Sequence, residues 1–219
     1  MATILCLETA TTNCSVSISI NGKIVALEEI NNNQYSHAEK LHLFIEAVLE
    51  KAGIIKSQLD AVAVSKGPGS YTGLRIGVSA AKGLRFALEI PLISIATLKS
   101  LSYQVEIEEG IIVPMLDARR MEVYSAVFSS DYKELRETEA QILDESSFVK
   151  YLEKSKVYFI GDGVEKFKNI CQHPNAIFIE NKFPSANQMG FLAEEKYKKS
   201  DIEDVAYFEP YYLKDFVTG

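Results

Sequence analysis

Ser65-Lys66-Gly67-Pro68-Gly69-Ser70-Tyr71-Thr72-Gly73-Leu74-Arg75-Ile76-Gly77 is the stretch on which the fold turns. An apolar run, residues 59–65, ends there in a glycine loop that opens directly into a helix reaching about Leu88. Gly67-Pro68-Gly69 reads as a sharp turn, with Ser70 or Thr72 as the helix N-cap. Backbone N–H groups and the positive end of the helix dipole would then converge on one spot, as they do at phosphate sites. A plain strand-to-helix turn explains the same residues, and the Gly-Lys-Ser/Thr ending of a P-loop is missing.

Working outward from this loop, residues 3–7 form a β-prone run, Glu8 to Asn13 a polar turn, and Cys14–Ile20 a half-buried strand that alternates Val16, Ile18 and Ile20 against Ser15, Ser17 and Ser19. Asn21-Gly22 is a hairpin signal leading into Lys23–Ile30, so three antiparallel strands come first. Ser36 with Glu39 forms a capping box for a helix whose apolar positions are Ala38, Leu41, Phe44, Ile45, Val48, Leu49 and Ala52, and Gly53 stops it. With a further strand at 91–95 the order is β-β-β-α-β-α-β. The second half starts again in the same way. An apolar strand at 110–116, a polar turn at Asp117-Ala118-Arg119-Arg120 and a strand at 121–128 echo the N-terminus, with Asp117 standing where Glu8 stands. Helices are expected at 146–154, 164–171 and 185–199, strands at 156–160 and 176–179, and an extended aromatic tail from 201. The boundary between halves falls in 100–109, giving lobes of 1–103 and 104–219.

Glu8, Thr9, Gly67, Gly69, Ser70, Thr72 and Asp117 are the residues of this pattern that could hold an anion or nucleotide. Solvated turns and caps account for the acidic pair equally well. His37 and His42 are five apart, about 140° around a helix, and do not chelate one metal as an i,i+4 pair would. Cys6 and Cys14 have no histidine nearby in sequence, so neither nucleophilic catalysis nor a metal site has visible machinery. Gly73, Gly77, Ala80 and Ala81 leave one helix face nearly without side chains, against which either the chain's own sheet or a partner packs closely. Arg75, Val78, Lys82 and Phe86 mix charge with apolar residues on the other side, and Leu43 sits among Glu39, Glu46 and Glu50 on the preceding helix. Both stripes point to a protein interface.

The totals bound the rest. A chain of 219 residues with 47% hydrophobic content supports a substantial core, and a formal charge of −7 without a basic block argues against a direct high-affinity grip on nucleic acid. Three cysteines, without a Cys-x-x-Cys or a signal-like segment before the first strand, are expected of a cytoplasmic protein. No apolar run reaches the roughly 18 to 20 residues of a membrane helix.

Residues 67–77 closely resemble the signature of the TsaB (YeaZ) family. Ile4-Leu5-Cys6-Leu7-Glu8-Thr9 resembles the family's opening strand and turn, Asp117 to Tyr124 its second-domain start, and Pro210-Tyr211-Tyr212-Leu213-Lys214 its terminal Pro-x-Tyr-Leu motif. Glu8 stands where many members carry Asp. The resemblance implies an α/β protein with two related lobes of the actin/Hsp70/sugar-kinase (ASKHA) type, each a mixed sheet flanked by helices. It also implies a noncatalytic partner of TsaD, acting with the ATPase TsaE in forming N6-threonylcarbamoyladenosine at position 37 of tRNAs that read ANN codons. TsaD, the catalytic paralogue, carries an Asn-His-x-Glu-Gly-His type metal motif where this chain has Ala96-Thr97-Leu98-Lys99-Ser100-Leu101, without either histidine. The expected partner surface is Leu43, Gly73, Arg75, Gly77, Val78, Ala81, Lys82 and Phe86 of the N-terminal lobe, used for TsaD or, without a partner, for a homodimer. Contact with tRNA is expected only through the complex, no cofactor is assigned to the chain alone, and ATP or ADP is expected at most at an assembly interface. The competing readings are an ATP-binding phosphotransferase or ATPase, suggested by the two acidic turns, and a glycoprotease-like metallopeptidase.

Overall fold

An unbroken apolar run such as β1 (Thr3–Glu8) belongs in the middle of a sheet covered on both faces, and it is buried along nearly its whole length. The computed structural model describes residues 2–31 and 37–214. In the first unit β1 pairs antiparallel with β2 (Cys14–Ile20) and parallel with β4 (Ala61–Gly67). β3 (Lys23–Ile30) and β5 (Leu92–Ala96) complete a mixed sheet of order β3-β2-β1-β4-β5. Asn21 and Gly22 both have positive φ, 55° and 77°, the backbone that a tight β2–β3 hairpin needs and that Asn-Gly supplies at low cost.

Helices α1 (His37–Ala52) and α2 (Tyr71–Leu88) cover one face. Leu41, Ile45, Val48 and Leu49 of α1 and Val78 and Ala81 of α2 pack there on Leu5, Leu7, Val62 and Val64. α1 ends as its glycine requires, with Gly53 N donating to the Glu50 carbonyl and Ile54 N to the Leu49 carbonyl, a Schellman motif. The expected cap Ser36 lies outside the described residues. Ser70 caps α2, its hydroxyl accepting from Gly73 N at 3.3 Å.

The other face is covered by the end of the chain. α6 (Met189–Lys198), reached after α3 (Thr97–Ser102), α4 (Val149–Leu152) and α5 (Val164–Lys168), brings Met189 and Ala193 onto Ile4, Cys6, Ala61, Ala63, Ile93 and Ile95. Residues 184–219 therefore belong with the first unit, Met1–Ser100, and the second unit is Leu101–Phe183. This changes the expected division at 103/104: the chain leaves its first lobe and returns to it. It also changes the reading of β2, whose serine edge was expected to be the polar, less buried side. Ser15, Ser17 and Ser19 are buried instead, Ser17 Oγ donating to the Ala186 carbonyl and Ser15 Oγ accepting from Ala186 N.

The second unit repeats the first. β6 (Ile111–Asp117) lies between antiparallel β7 (Glu122–Ser129) and parallel β9 (Val157–Ile160), with β8 (Glu134–Ile142) and β10 (Ala176–Ile179) at the edges. The order β8-β7-β6-β9-β10 has the same connectivity as the first sheet, which is the duplicated arrangement expected of the ASKHA class. The helices expected at 146–154 and 164–171 shorten to α4 and α5, and α4 starts late because Asp144 holds Ser146 and Ser147 in a turn and Phe148 is left-handed at φ 61°. Phe148, Phe159 and Phe167 meet edge to face at 4.9–5.4 Å in the core that these short helices close.

Candidate functional site

Glycine is required along one seam of the first unit because backbone and side chains of the β1–β2 turn touch α2 directly. A Cβ on Gly69 would come within 2.4 Å of the Ala10 carbonyl oxygen, on Gly73 within 2.2 Å of the Thr9 carbonyl oxygen, and on Gly77 within 2.3 Å of Thr9 Oγ1. The glycine face of α2 thus packs on the chain itself.

The polar groups expected to hold an anion are engaged with one another at this seam. Thr9 Oγ1 donates to the Gly73 carbonyl at 2.8 Å, Thr9 N to Ser65 Oγ at 3.4 Å and Ser70 N to the Ala10 carbonyl at 2.7 Å. Gly67 N donates to Thr97 Oγ1 at 3.2 Å, and Ser70 Oγ serves as the cap. Of the members of this set in the first unit, Thr72 alone is exposed.

Glu8 is fully buried. Its Oε1 accepts from Ala10 N at 2.7 Å, while Oε2 has no hydrogen-bond partner among the described residues. Burial pushes its pKa up from 4.5 to about 7, with the hydrogen bonds from Ala10, Ser65 and Thr9 opposing the rise. A carboxyl so placed serves as an internal, part-protonated group more readily than as an open metal ligand. Cys6 and Cys14 nearby are pushed up to about 12 and about 11, chiefly by burial, which leaves both as inert thiols at neutral pH.

Asp117 belongs to the second unit and is exposed. Its Oδ1 accepts from Lys166 Nζ at 2.7 Å and from Arg119 N at 2.6 Å, and its own N–H donates to Asp162 Oδ1 at 2.9 Å. Asp162 is pushed up to about 6, by burial first, with the Asp117 charge adding to the rise and that backbone hydrogen bond opposing it. Gly161 would bring a Cβ within 2.1 Å of the Met115 carbonyl oxygen, so this loop, too, is closed against its own strand end.

The expected partner surface contracts. Gly73, Gly77, Val78 and Ala81 are buried within the chain, the glycines against Thr9 and the other two in the core under α2. Val78 is three residues beyond Arg75, about 60° around the helix, which carries it from the outer face to the sheet. Leu43 at 61% exposure, Phe86 at 76%, Arg75 and the half-buried Lys82 remain outward.

Sequence reasoning missed what flanks this surface. Residues 203–214 run as an irregular strap, anchored by Glu203 N to the Leu92 carbonyl at 2.8 Å and by Tyr211 N to the Lys66 carbonyl at 2.7 Å. Phe208 is buried in the core between these anchors, and the Tyr212 ring lies 5.0 Å from that of Tyr71 at the start of α2. A cleft of about 520 Å³ opens along the strap, lined by Lys66, Glu203 and residues 207–212. The aromatic density of Tyr207 to Tyr212 was the available signal.

Two mixed sheets of one topology, with a glycine-loop helix in the first, define an α/β protein of the duplicated ASKHA class. A model of the family described as "TsaD: tRNA N6-adenosine threonylcarbamoyltransferase" matches residues 26–218. The "tRNA threonylcarbamoyladenosine biosynthesis protein TsaB" of Haemophilus influenzae is 28% identical, the match covering 99% of this chain and 95% of that protein. The protein of the same name from Buchnera aphidicola subsp. Schizaphis graminum is 31% identical over 89% of this chain and 95% of its own. Among solved structures, a Pseudomonas aeruginosa protein described as similar to peptidase YEAZ superposes with a TM-score of 0.86 at 25% identity, covering 98% of this chain and 100% of that one. The chain belongs to the TsaB (YeaZ) branch of this family. Among the described residues no helix is long and apolar enough to cross a membrane.

Proposed function

We propose that this chain is a noncatalytic subunit in the formation of N6-threonylcarbamoyladenosine on tRNA, binding TsaD through its first unit and acting with TsaE. The relatives' names support the pathway. The observation that carries the noncatalytic role lies at the end of β5. Where the family resemblance puts the metal motif of the catalytic paralogue, Thr97, Leu98, Ser100 and Leu101 are buried, Thr97 Oγ1 accepting from Gly67 N and Ser100 Oγ donating to the Thr97 carbonyl at 2.9 Å. Hydroxyls already hydrogen-bonded to the backbone and a leucine give no imidazole lone pairs to a metal. The glycine loop survives here as scaffold, and the outer faces of α1 and α2 are what remains for binding.

This reading gives the chain no cofactor of its own and leaves ATP or ADP to the assembly interface, with tRNA reached through TsaD. The test is reconstitution: tRNA, TsaD, TsaE and the adenylate-forming enzyme, with and without this protein. Modification is expected to require the chain, and full activity without it would remove the proposed role.

A further inference from the structure

Arg75, Lys82 and Phe86 are spaced i, i+7 and i+11 on α2, which sets them within about 20° of one line over roughly 16 Å of helix. Long cationic side chains on such a face ordinarily sample many rotamers. These two do not stand alone. The Arg75 guanidinium lies 4.1 Å from the Tyr71 ring centre, and its Nε donates to Tyr212 Oη at 3.3 Å. Lys82 Nζ lies 6.0 Å from the ring centre of Phe208. Two of these three aromatic supports come from the C-terminal strap, which is itself pinned at Glu203 and Tyr211. Glu209 of the strap adds negative field at Arg75, but among the described residues no ion pair holds either cation.

We propose that the C-terminal strap is a positioning device, in which Tyr212 and Phe208 fix Arg75 and Lys82 as a spaced pair that reads carboxylates on a helix of the partner. The inference rests on the reading above that α2 faces TsaD. Charge complementarity selects the occupant: two cations one heptad apart fit a helix with carboxylates seven residues apart, and the exposed Phe86 fits an apolar residue beside them. An isolated anion would leave Phe86 in water. The fixed rotamers lower the ordering cost of binding, so the strap acts on affinity without touching the partner.

The test measures binding of the full-length chain to immobilised TsaD across a salt series, for wild type, Tyr212→Phe, Arg75→Gln and the double variant. Tyr212→Phe removes only the hydroxyl and keeps the ring packed on Tyr71. It is expected to weaken binding about threefold to tenfold and to add nothing once Arg75 is already Gln. Arg75→Gln, which removes the charge, should flatten the salt dependence, and Tyr212→Phe, which keeps it, should flatten it less. Additive losses, or wild-type affinity in Tyr212→Phe, would overturn the proposal. So would equal competition by inorganic phosphate, or a Tyr212 effect confined to self-association of this chain, whose α1 carries a similar acidic stripe at Glu39, Glu46 and Glu50. Leu43→Asp separates the two levels: loss of binding there, with Tyr212→Phe unaffected, leaves the partner surface standing and removes the strap's role. Absence of any TsaD binding by wild type removes both.

Discussion

Thr9 Oγ1 donates to the Gly73 carbonyl at 2.8 Å while standing where a Cβ on Gly77 would be only 2.3 Å away. Thr9 therefore fixes both how close α2 comes to the β1–β2 turn and why that helix carries glycine at two successive turns, its carbonyl oxygen leaving no room for a Cβ at Gly73 and its hydroxyl none at Gly77. The face that looks like an open cradle in sequence is a seam between two parts of the same lobe.

Gly77→Ala is expected to destabilise the protein by roughly 1–3 kcal/mol, since the contact is to a fixed, hydrogen-bonded oxygen and the helix must shift to admit a methyl group. Gly83→Ala on the same helix should do the opposite. It meets nothing within 4 Å and has helical backbone, so removing glycine entropy should add about 0.5–1 kcal/mol. Urea unfolding of the two variants checks the pair, and equal effects would refute the seam.

Glu8 predicts a pH dependence of definite sign. Its pKa is raised from 4.5 to about 7 in the fold, so the folded state binds more protons between those values than the unfolded chain. Its contribution is present below about pH 4.5 and is lost as pH rises through 7, a swing of roughly 3 kcal/mol at most. Glu8→Gln keeps the hydrogen-bonding shape without the charge. Unfolding free energies from pH 5 to 8 should therefore fall in wild type relative to the variant, with the opposite trend from His37, whose pKa burial lowers, cancelling in the comparison. Parallel pH profiles in the two proteins would be inconsistent with a carboxyl buried in this way.

Much of the first lobe was legible because its signals are local. Asn21-Gly22 sets the hairpin, Ser70 the start of α2 and Gly53 the end of α1, and each needs only neighbours in the chain. What was not legible depends on distant residues. The serines of β2 read as the less buried edge because nothing near them announces the returning segment at Ala186, just before α6, which arrives 171 residues after Ser15. β8 carries the polar sequence Glu134 to Ile142, half exposed at a sheet edge, and offers no apolar alternation to read. The glycine stripe gave the right inference, close packing, but could not say which surface was close. Arg75 and Tyr212 lie 137 residues apart, so their contact left no trace beyond an aromatic tail.

The return of the chain onto β2 gives a third expectation. Ser15 Oγ accepts from Ala186 N at 3.0 Å and lies 3.1 Å from Glu29 Oε2, which also takes the Ser185 hydroxyl at 2.7 Å. Ser15→Ala leaves a buried N–H without its acceptor and should cost about 1–3 kcal/mol. Because the same hydroxyl docks residues 184–188, limited proteolysis should cut earlier around Pro184 in the variant. An unchanged cleavage pattern would show that α6 alone holds the return segment.

Leu43 and Phe86 supply the last expectation. Both are large apolar side chains left mostly in water, on the two helices that cover one face of the first sheet, and neither belongs to the core beneath. Leu43→Asp and Phe86→Asp should leave the thermal midpoint within about 2 °C of wild type, because little packing is lost at exposed positions. Affinity for TsaD should nevertheless fall at least about tenfold for each, as expected when a charge is placed in the apolar centre of an interface. Val78→Asp is the contrasting variant. Its side chain is buried under α2, so it should unfold the lobe and reduce binding only through lost folded protein, which circular dichroism distinguishes from a surface effect.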